Sequence, residues 1–199
     1  MKSTQIKSEI ILASKSKVRK EILEKNNINC RVISSNVDED PIKQSLIKEG
    51  ATPELISKNL AEIKATKVSS LNNDLLVLGA DSVIDLENNI ISKPENRIEA
   101  LEILKKLNGK EHYLISSVTI AKNGAMIWNY TDKAKLKMKH FNLDELKKYL
   151  SKISDHDLFS YNVYQIEGEG KNLFSNIDGD KDTIMGLPIK KIKDYLERI

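Results

Sequence analysis

Cysteine is nearly absent from this chain of 199 residues, in which Cys30 is the single example. An internal disulfide is therefore excluded, and so are metal sites built from several thiolates. The longest apolar runs, residues 10–13 and 75–78, fall far short of the ~20 residues that cross a bilayer. Residues 2–9 are polar and of mixed charge, so we expect no secretion signal there. These absences lead us to expect a cytoplasmic protein without membrane contact.

A strong excess of either charge is also missing, since 32 basic against 29 acidic residues leave a net charge of +3. Composition therefore does not demand a nucleic-acid partner. Hydrophobic residues make up 40% and charged residues 31% of the chain, which excludes wholesale disorder. Only four of the basic residues are arginine. Because lysine makes forked contacts to phosphate or carboxylate poorly, each arginine is a candidate for that task.

The apolar pattern switches repeatedly between strand and helix spacing. We predict strands at residues 9–13, 30–34, 75–84 and 90–92, and helices at Lys17–Lys25, 52–68, 96–107, 142–150 and from Leu187 onward. The acidic segment 36–41 is interpreted as the end of the second strand, stopped by Pro41. In the helix at 96–107, the apolar residues predicted to face inward are Ile98, Leu101, Leu104 and Leu107.

The strongest turn pattern is Asn123-Gly124, which predicts a hairpin between residues 113–121 and 126–138. In its second arm Ala134, Leu136 and Met138 alternate with lysines, so one face is expected to be buried and the other exposed. Strands and helices together predict an α/β protein: a mixed, twisted central sheet flanked by helices in two lobes around a cleft.

Polar segments follow the predicted strands, where open α/β sheets usually hold ligands. Residues 14–19 combine hydroxyls, free N–H groups and an arginine, which suits an anion, although a plain capped helix explains them equally. Asp81 faces Lys93 across a hairpin, as a metal and phosphate site or as a surface ion pair. Residues 167–170 hold two glycines that let a backbone approach a flat ligand, or form an ordinary turn. Taken singly, each segment leaves both interpretations open.

Seven short motifs occur in order between residues 10 and 189. They are Leu12-Ala13-Ser14-Lys15-Ser16-Lys17-Val18-Arg19, Val37-Asp38-Glu39, Leu60-Ala61-Glu62-Ile63-Lys64-Ala65, Gly79-Ala80-Asp81-Ser82, Lys93-Pro94, Glu167-Gly168-Glu169-Gly170 and Gly186-Leu187-Pro188. Each motif alone is unspecific. Their shared order and spacing resemble the Maf family of nucleoside triphosphate pyrophosphatases, over almost the whole chain.

The resemblance implies hydrolysis of a nucleoside triphosphate between its α and β phosphorus atoms, with a divalent cation, Mg²⁺ or Mn²⁺. It assigns catalysis to Asp81, Lys64, Lys93 and Glu39, with Asp81 as general base or, together with Glu39, as metal ligand. It assigns substrate binding to Ser14, Ser16 and Arg19. It further implies one Maf-like domain over residues 1–199, a nucleoside triphosphate as partner and a homodimer.

Three positions depart from the family pattern and concern the choice of base: Val18, Ser82 and Glu167. The chain has valine where the branch acting on dTTP and UTP has arginine, and Glu167 where that branch has glutamine; both resemble the branch acting on 7-methyl-GTP. A carboxylate only accepts hydrogen bonds, and the guanine edge offers two adjacent donors. Guanine-type substrates are therefore expected, with dTTP or UTP as the alternative.

Other classes of function fit less well. The lysines between residues 133 and 139 could follow a nucleic-acid backbone or bind a partner, but no aromatic residues alternate with them for stacking. The three histidines, His112, His140 and His156, lack the spacing of zinc ligands. A serine nucleophile at Ser14 or Ser16 lacks a placed histidine. A triphosphatase that removes deaminated purine nucleotides stays an open alternative.

Overall fold

A computed structural model describes residues 9–199, without the side chains of 159–161. Apart from Glu9, the polar opening segment 2–9 lies outside the described residues. The strands are β1 (Ile10–Leu12), β2 (Cys30–Val32), β3 (Val77–Leu86), β4 (Asn89–Ile91), β5 (Glu111–Lys122), β6 (Ala125–Met138) and β7 (Phe174–Asp178). The helices are α1 (Lys17–Lys25), α2 (Glu39–Lys48), α3 (Pro53–Ser69), α4 (Arg97–Leu107), α5 (Leu143–Ser151), α6 (Asp155–Tyr161), α7 (Lys181–Ile184) and α8 (Ile189–Leu196).

The strands form one mixed sheet of seven strands, in the order β2-β1-β3-β5-β6-β7 with β4 paired to β3. β1 is parallel to both β2 and β3, whereas β4 and β7 run antiparallel to their neighbours. Parallel β1 and β3 need a crossover between them, which the helices α1, α2 and α3 and the strand β2 supply. The predicted α/β class with a mixed, helix-flanked sheet is confirmed.

The chain divides into two compact units and passes from one to the other within β3, β5 and β6 and once more between β7 and α7. The first comprises the chain up to Ser82 together with Ile115–Lys133 and Asp180–Ile199, and the second comprises Val83–Leu114 and Ala134–Gly179. The expectation of a single domain over residues 1–199 stays a prediction. No helix within residues 9–199 has the length and apolar character needed to span a membrane.

The first unit is built on a buried apolar cluster from β1, β3, β5, α1 and α8, which includes Leu12, Ile22, Leu78, Ile120 and Ile192. Helix α1 begins where predicted, because the Ser16 side chain accepts from the Arg19 N–H and caps it. Thr52 caps α3 in the same way, with Pro53 in its first turn. The tight turn between β5 and β6 uses positive φ at Asn123 and Gly124, which confirms the predicted hairpin turn.

The second unit buries His112 against Tyr164 and Phe174, with ring centroids 5.7 and 5.8 Å from the imidazole. The Tyr164 hydroxyl lies 2.9 Å from His112 Nε2, and the imidazole is 1% exposed. Burial lowers the pKa of His112 to about 4. The alternation along β6 is confirmed at Ala134, Leu136 and Met138, which are all buried.

Two predictions about the helices are wrong. Ile98 is 77% exposed, while α4 buries Ala100, Leu104 and Leu107. A strict three-residue repeat drifts around a helix of 3.6 residues per turn, so Ile98 lies about half a turn from Leu107. The segment 36–41 was also expected to stop at Pro41, but α2 begins at Glu39. Proline is tolerated in the first turn of a helix, where its missing N–H has no intrahelical acceptor.

Candidate active site

A glycine lets helix α3 lie directly on strand β3. A Cβ on Gly79 would lie 2.7 Å from the Ala65 nitrogen and would also collide with the Ala61 carbonyl oxygen. The neighbouring Ser57 hydroxyl, also on α3, donates to the Asp81 carbonyl oxygen at 3.2 Å. This close packing brings Lys64 of α3 to Asp81 of β3.

Lys64 lies between two carboxylates. Its Nζ is 2.8 Å from Asp81 Oδ1 and 2.7 Å from Glu39 Oε1, at the first residue of α2. Lys64 and Asp81 are both buried, at 7% and 5% exposure. Removing either charge of such a buried pair leaves the other uncompensated, which is strongly unfavourable. The charges of these three residues therefore depend on one another.

The Glu39 carboxylate is held ionised by two lysines. Partial burial by itself would raise the pKa of Glu39, but the charge and hydrogen bond of Lys64, assisted by Lys43, hold it below the ordinary value. Lys43 Nζ lies 3.3 Å from Glu39 Oε2. The ionised oxygens of this carboxylate suit a hard cation such as Mg²⁺, and the two lysines hold the carboxylate in position.

Arg19 is fixed by four hydrogen bonds to its own unit. Nε donates to the Gly186 carbonyl at 3.0 Å, Nη1 donates to the Ala80 carbonyl at 2.9 Å and to Ser14 Oγ at 3.2 Å, and Nη2 donates to Ser82 Oγ at 3.0 Å. Burial lowers the pKa of Arg19, and the carboxylates of Asp81 and Glu39 oppose this shift; arginine remains charged at neutral pH. Among the described residues, one Nη2 hydrogen is left without an acceptor.

The two serines of the first motif have different roles. Ser14 Oγ accepts from the Ser16 N–H and from Arg19 Nη1, both at 3.2 Å. With its two acceptor positions used, the Ser14 hydroxyl can only donate toward a ligand, as a phosphate oxygen requires. Ser16 Oγ accepts from the Arg19 N–H as the cap of α1. Its predicted role in substrate binding stays a prediction.

The structure brings Glu39, Lys64 and Asp81 together as one group, and Arg19, Ser14 and Ser82 as a second group, all in the first unit. Val18 of the first unit is half-buried and packs on its apolar core. Lys93 and Glu167 belong to the second unit. Lys93 follows β4 and Glu167 precedes the 3₁₀ turn at Glu169–Leu173; both are exposed.

Asp81 offers a second oxygen for chemistry, because Oδ2 is buried and has no partner among the described residues. A carboxylate oxygen left over in this way can accept a proton or bind a cation. Within the described part of the chain, no three His, Cys, Asp or Glu side chains cluster to hold a metal by themselves. Two carboxylates suffice for Mg²⁺, which usually keeps several waters and takes its remaining ligands from substrate phosphates.

Three of the four lysines at residues 133–139, which were considered for nucleic-acid binding, have local partners. Lys133 Nζ lies 3.5 Å from Glu54 in the first unit, and Lys135 Nζ lies 3.0 Å from Glu111 in the second. Lys139 Nζ donates to the Asn172 carbonyl. These contacts do not favour an unpaired basic stripe.

Sequence reasoning missed two residues that hold this site, Lys43 and Ser116, and it gave Gly186 only as part of a motif, without a contact. Ser116 is fully buried on β5 and lies 2.8 Å from Ser82 Oγ. Gly186 has φ of +96°, and a Cβ there would lie 3.1 Å from both Arg19 Nε and Ser82 Oγ. The Gly-Leu-Pro motif indicated Gly186, but nothing in the sequence connects it, or Ser116, with Arg19.

The chain is similar to known proteins over almost its whole length. The family described as Maf-like protein matches residues 9–199. A protein of Pelagibacter ubique named nucleoside triphosphate pyrophosphatase is 69% identical over 191 residues, covering 96% of this chain and 98% of that protein. A Brucella abortus protein named 7-methyl-GTP pyrophosphatase is 36% identical over 189 residues, covering 95% of each chain.

Solved structures with a similar fold include one that matches over nearly its whole length. The HAM1 protein of Coxiella burnetii matches with a TM-score of 0.55 and 11% identity, covering 96% of this chain and 99% of that one. At that identity the likeness concerns the fold alone.

Proposed function

Because this chain belongs to the Maf family, we propose that it hydrolyses nucleoside triphosphates to nucleoside monophosphates and pyrophosphate. The match of the family model to residues 9–199 confirms the resemblance that the seven motifs indicated. The 69% identical relative bears the name of this activity over nearly its whole length. The observation that carries the proposal for this chain is Lys64 held between Glu39 and Asp81, beside an Asp81 oxygen that no described residue contacts by a hydrogen bond.

The side chains of the first unit suit a triphosphate. Phosphoryl transfer depends mainly on positioning and on neutralising charge. The remaining Nη2 hydrogen of Arg19 and the hydroxyl of Ser14 are donors for phosphate oxygens. Lys64 adds a buried positive charge, and for Lys93 we propose a catalytic role on the strength of its motif. Asp81 Oδ2 is the atom that accepts the proton of the attacking water, unless it serves as a metal ligand.

A divalent cation fits the residues present. Glu39 and Asp81 would hold it, with Asp81 Oδ2 as the available oxygen, and Mg²⁺ or Mn²⁺ would supply charge neutralisation at the phosphates. With the cation bound, Lys64 would keep both carboxylates in place. Arg19 and Ser14 would orient the phosphate oxygens.

Guanine-type nucleotides are the substrates that we propose. Glu167 is acceptor-only when ionised and matches the adjacent N1–H and N2–H₂ donors of guanine. Val18 and Glu167 also agree with the 7-methyl-GTP branch of the family, to which the Brucella relative belongs by name. The alternative within the family is a dTTP or UTP pyrophosphatase. From the same resemblance we propose a cytoplasmic homodimer.

A panel of triphosphates tests this proposal. Purified protein is incubated with GTP, 7-methyl-GTP, dTTP, UTP, ATP and dITP, each with Mg²⁺ or Mn²⁺, and pyrophosphate is measured. We expect the highest kcat/KM for a guanine nucleotide. A preference for dTTP or UTP would reject the Glu167 argument alone, a preference for dITP would favour removal of deaminated purines, and no pyrophosphate from any nucleotide would reject the activity itself.

A further inference from the structure

A chain of hydroxyl groups continues from Arg19 into the interior of the first unit. Arg19 Nη2 donates to Ser82 Oγ at 3.0 Å, Ser82 Oγ lies 2.8 Å from Ser116 Oγ, and Ser116 Oγ donates to the Thr183 carbonyl at 2.7 Å. Ser116 and Thr183 have no exposed surface. The chain therefore links a residue of the candidate site to two that lie wholly in the interior.

The direction of each hydrogen bond follows from what its atoms can do. The Thr183 carbonyl only accepts, so the single hydroxyl proton of Ser116 is committed to it. Ser82 must then donate in the Ser82–Ser116 pair. Arg19 only donates, so Ser82 Oγ must accept from it. The orientation of the Ser82 hydroxyl is thus fixed on both sides, and reversal would leave a buried group unsatisfied.

The Arg19 guanidinium is held in one plane by hydrogen bonds from all three of its nitrogens. Nε and Nη1 are held by two main-chain carbonyls and Ser14, while Ser82 is the acceptor that holds Nη2. Because the guanidinium group is flat, fixing one Nη2 hydrogen on Ser82 also aims the other. That second hydrogen is the donor available to a substrate phosphate.

We propose that Ser116 is a positioning residue for the pyrophosphatase reaction. Its Oγ accepts the hydrogen bond that the Ser82 hydroxyl donates, keeps the Ser82 Oγ lone pairs turned toward Arg19, and thereby fixes the direction of the remaining Arg19 N–H. The inference rests on the proposed function, since it needs Arg19 to contact the triphosphate. It assigns a role to a side chain that does not itself touch the substrate.

The test compares Ser116→Ala with Ser117→Ala. Ser117 is the next residue on β5, is 1% exposed, and pairs with the Thr131 hydroxyl at 2.9 Å, so it matches Ser116 in size, burial and bond type. Because successive strand residues face opposite sides, Ser117 lies off the chain that reaches Arg19. Both variants are first checked by thermal unfolding, which registers any loss of stability common to the two.

We expect Ser116→Ala to lower kcat about tenfold with KM within about twofold, because misorientation of a charged donor affects the transition state more than binding. Ser117→Ala is expected to keep the kcat of the unmodified protein. Ser116→Thr, which retains the hydroxyl, is expected to restore most of the kcat. If Ser116→Ala does not fold, Ser116→Cys carries the same comparison, since a thiol is a weak donor and acceptor.

Equal kinetics for Ser116→Ala and the unmodified protein would overturn the inference, and so would an equal fall in Ser117→Ala. The unmodified protein must release pyrophosphate in the same assay. If it releases none from any triphosphate, the proposed function fails instead, so the two failures are distinguishable.

Discussion

At the scale of single residues, Asp81 combines an oxygen paired to Lys64 with a buried oxygen that has no partner within the described part of the chain. Replacing Asp81 by asparagine keeps its size but removes the charge and the basic oxygen. We expect Asp81→Asn to lose several orders of magnitude in kcat while remaining folded, as measured by pyrophosphate release and circular dichroism. Asp85→Asn is the matched control, because Asp85 is buried on the same strand and its Oδ1 has no hydrogen-bond partner among residues 9–199 as described. Near-normal turnover by Asp81→Asn would remove Asp81 from the mechanism.

Arg19 illustrates why lysine cannot replace arginine at a forked site. A lysine at this position would offer one ammonium group in place of the flat donor set that contacts Ser14, Ser82 and two carbonyls. We expect Arg19→Lys to lower kcat/KM about a hundredfold. Arg31→Lys, at an exposed position on β2, is expected to change it less than twofold. Comparable losses in both variants would indicate that total charge, and not the geometry of Arg19, governs turnover.

At the scale of elements, the contact of α3 with β3 depends on the missing side chain of Gly79. A Cβ there would overlap main-chain atoms of Ala61 and Ala65, which cannot move without displacing the helix. Overpacking of this kind costs about 3 kcal/mol, and it would also separate Lys64 from Asp81. We therefore expect Gly79→Ala to lower both the free energy of unfolding and the activity. Gly168→Ala, where a Cβ meets nothing nearer than 3.7 Å, serves as the control for unfolding by urea.

At the scale of the whole molecule, the buried His112 links stability to pH. In the unfolded chain a histidine takes up a proton near pH 6.5, whereas burial keeps His112 neutral down to about pH 4. The unfolded state binds more protons in that window, so stability is full above pH 6.5 and falls as the pH drops toward 4. Over this pH range, the titration of His112 alone lowers the free energy of unfolding by about 3 kcal/mol.

Urea unfolding at several pH values checks this expectation. The fall in stability between pH 6.5 and 4 is predicted to be smaller in His112→Phe than in the unmodified protein. Tyr164→Phe, which removes the hydroxyl 2.9 Å from Nε2 but keeps the titrating imidazole, is expected to retain most of the fall. An identical pH dependence in His112→Phe and the unmodified protein would contradict the assignment.

Much of this molecule could be predicted from the sequence, and the failures have physical causes. Local chemistry specified α1, whose cap Ser16 lies three residues before its bonding partner, and the turn at Asn123. The inward face of α4 was misjudged at Ile98, because apolar residues at every third position drift around a helix of 3.6 residues per turn and do not stay on one face. The ordered motifs indicated the site residues, yet Ser116 carries no motif. Its role follows from contacts between distant strands, which spacing along the chain cannot express.

Lys64 also bears on how the protein behaves without the divalent cation that we propose. Its ammonium group already serves as an internal counterion for Glu39 and Asp81, so the two acids need no external cation to coexist in the folded chain. We therefore expect the protein to fold without the cation and to need the cation only for turnover. We expect a chelator to abolish turnover while shifting the melting temperature by less than about 2 °C. A large drop in the melting temperature would instead show that the fold depends on the bound ion.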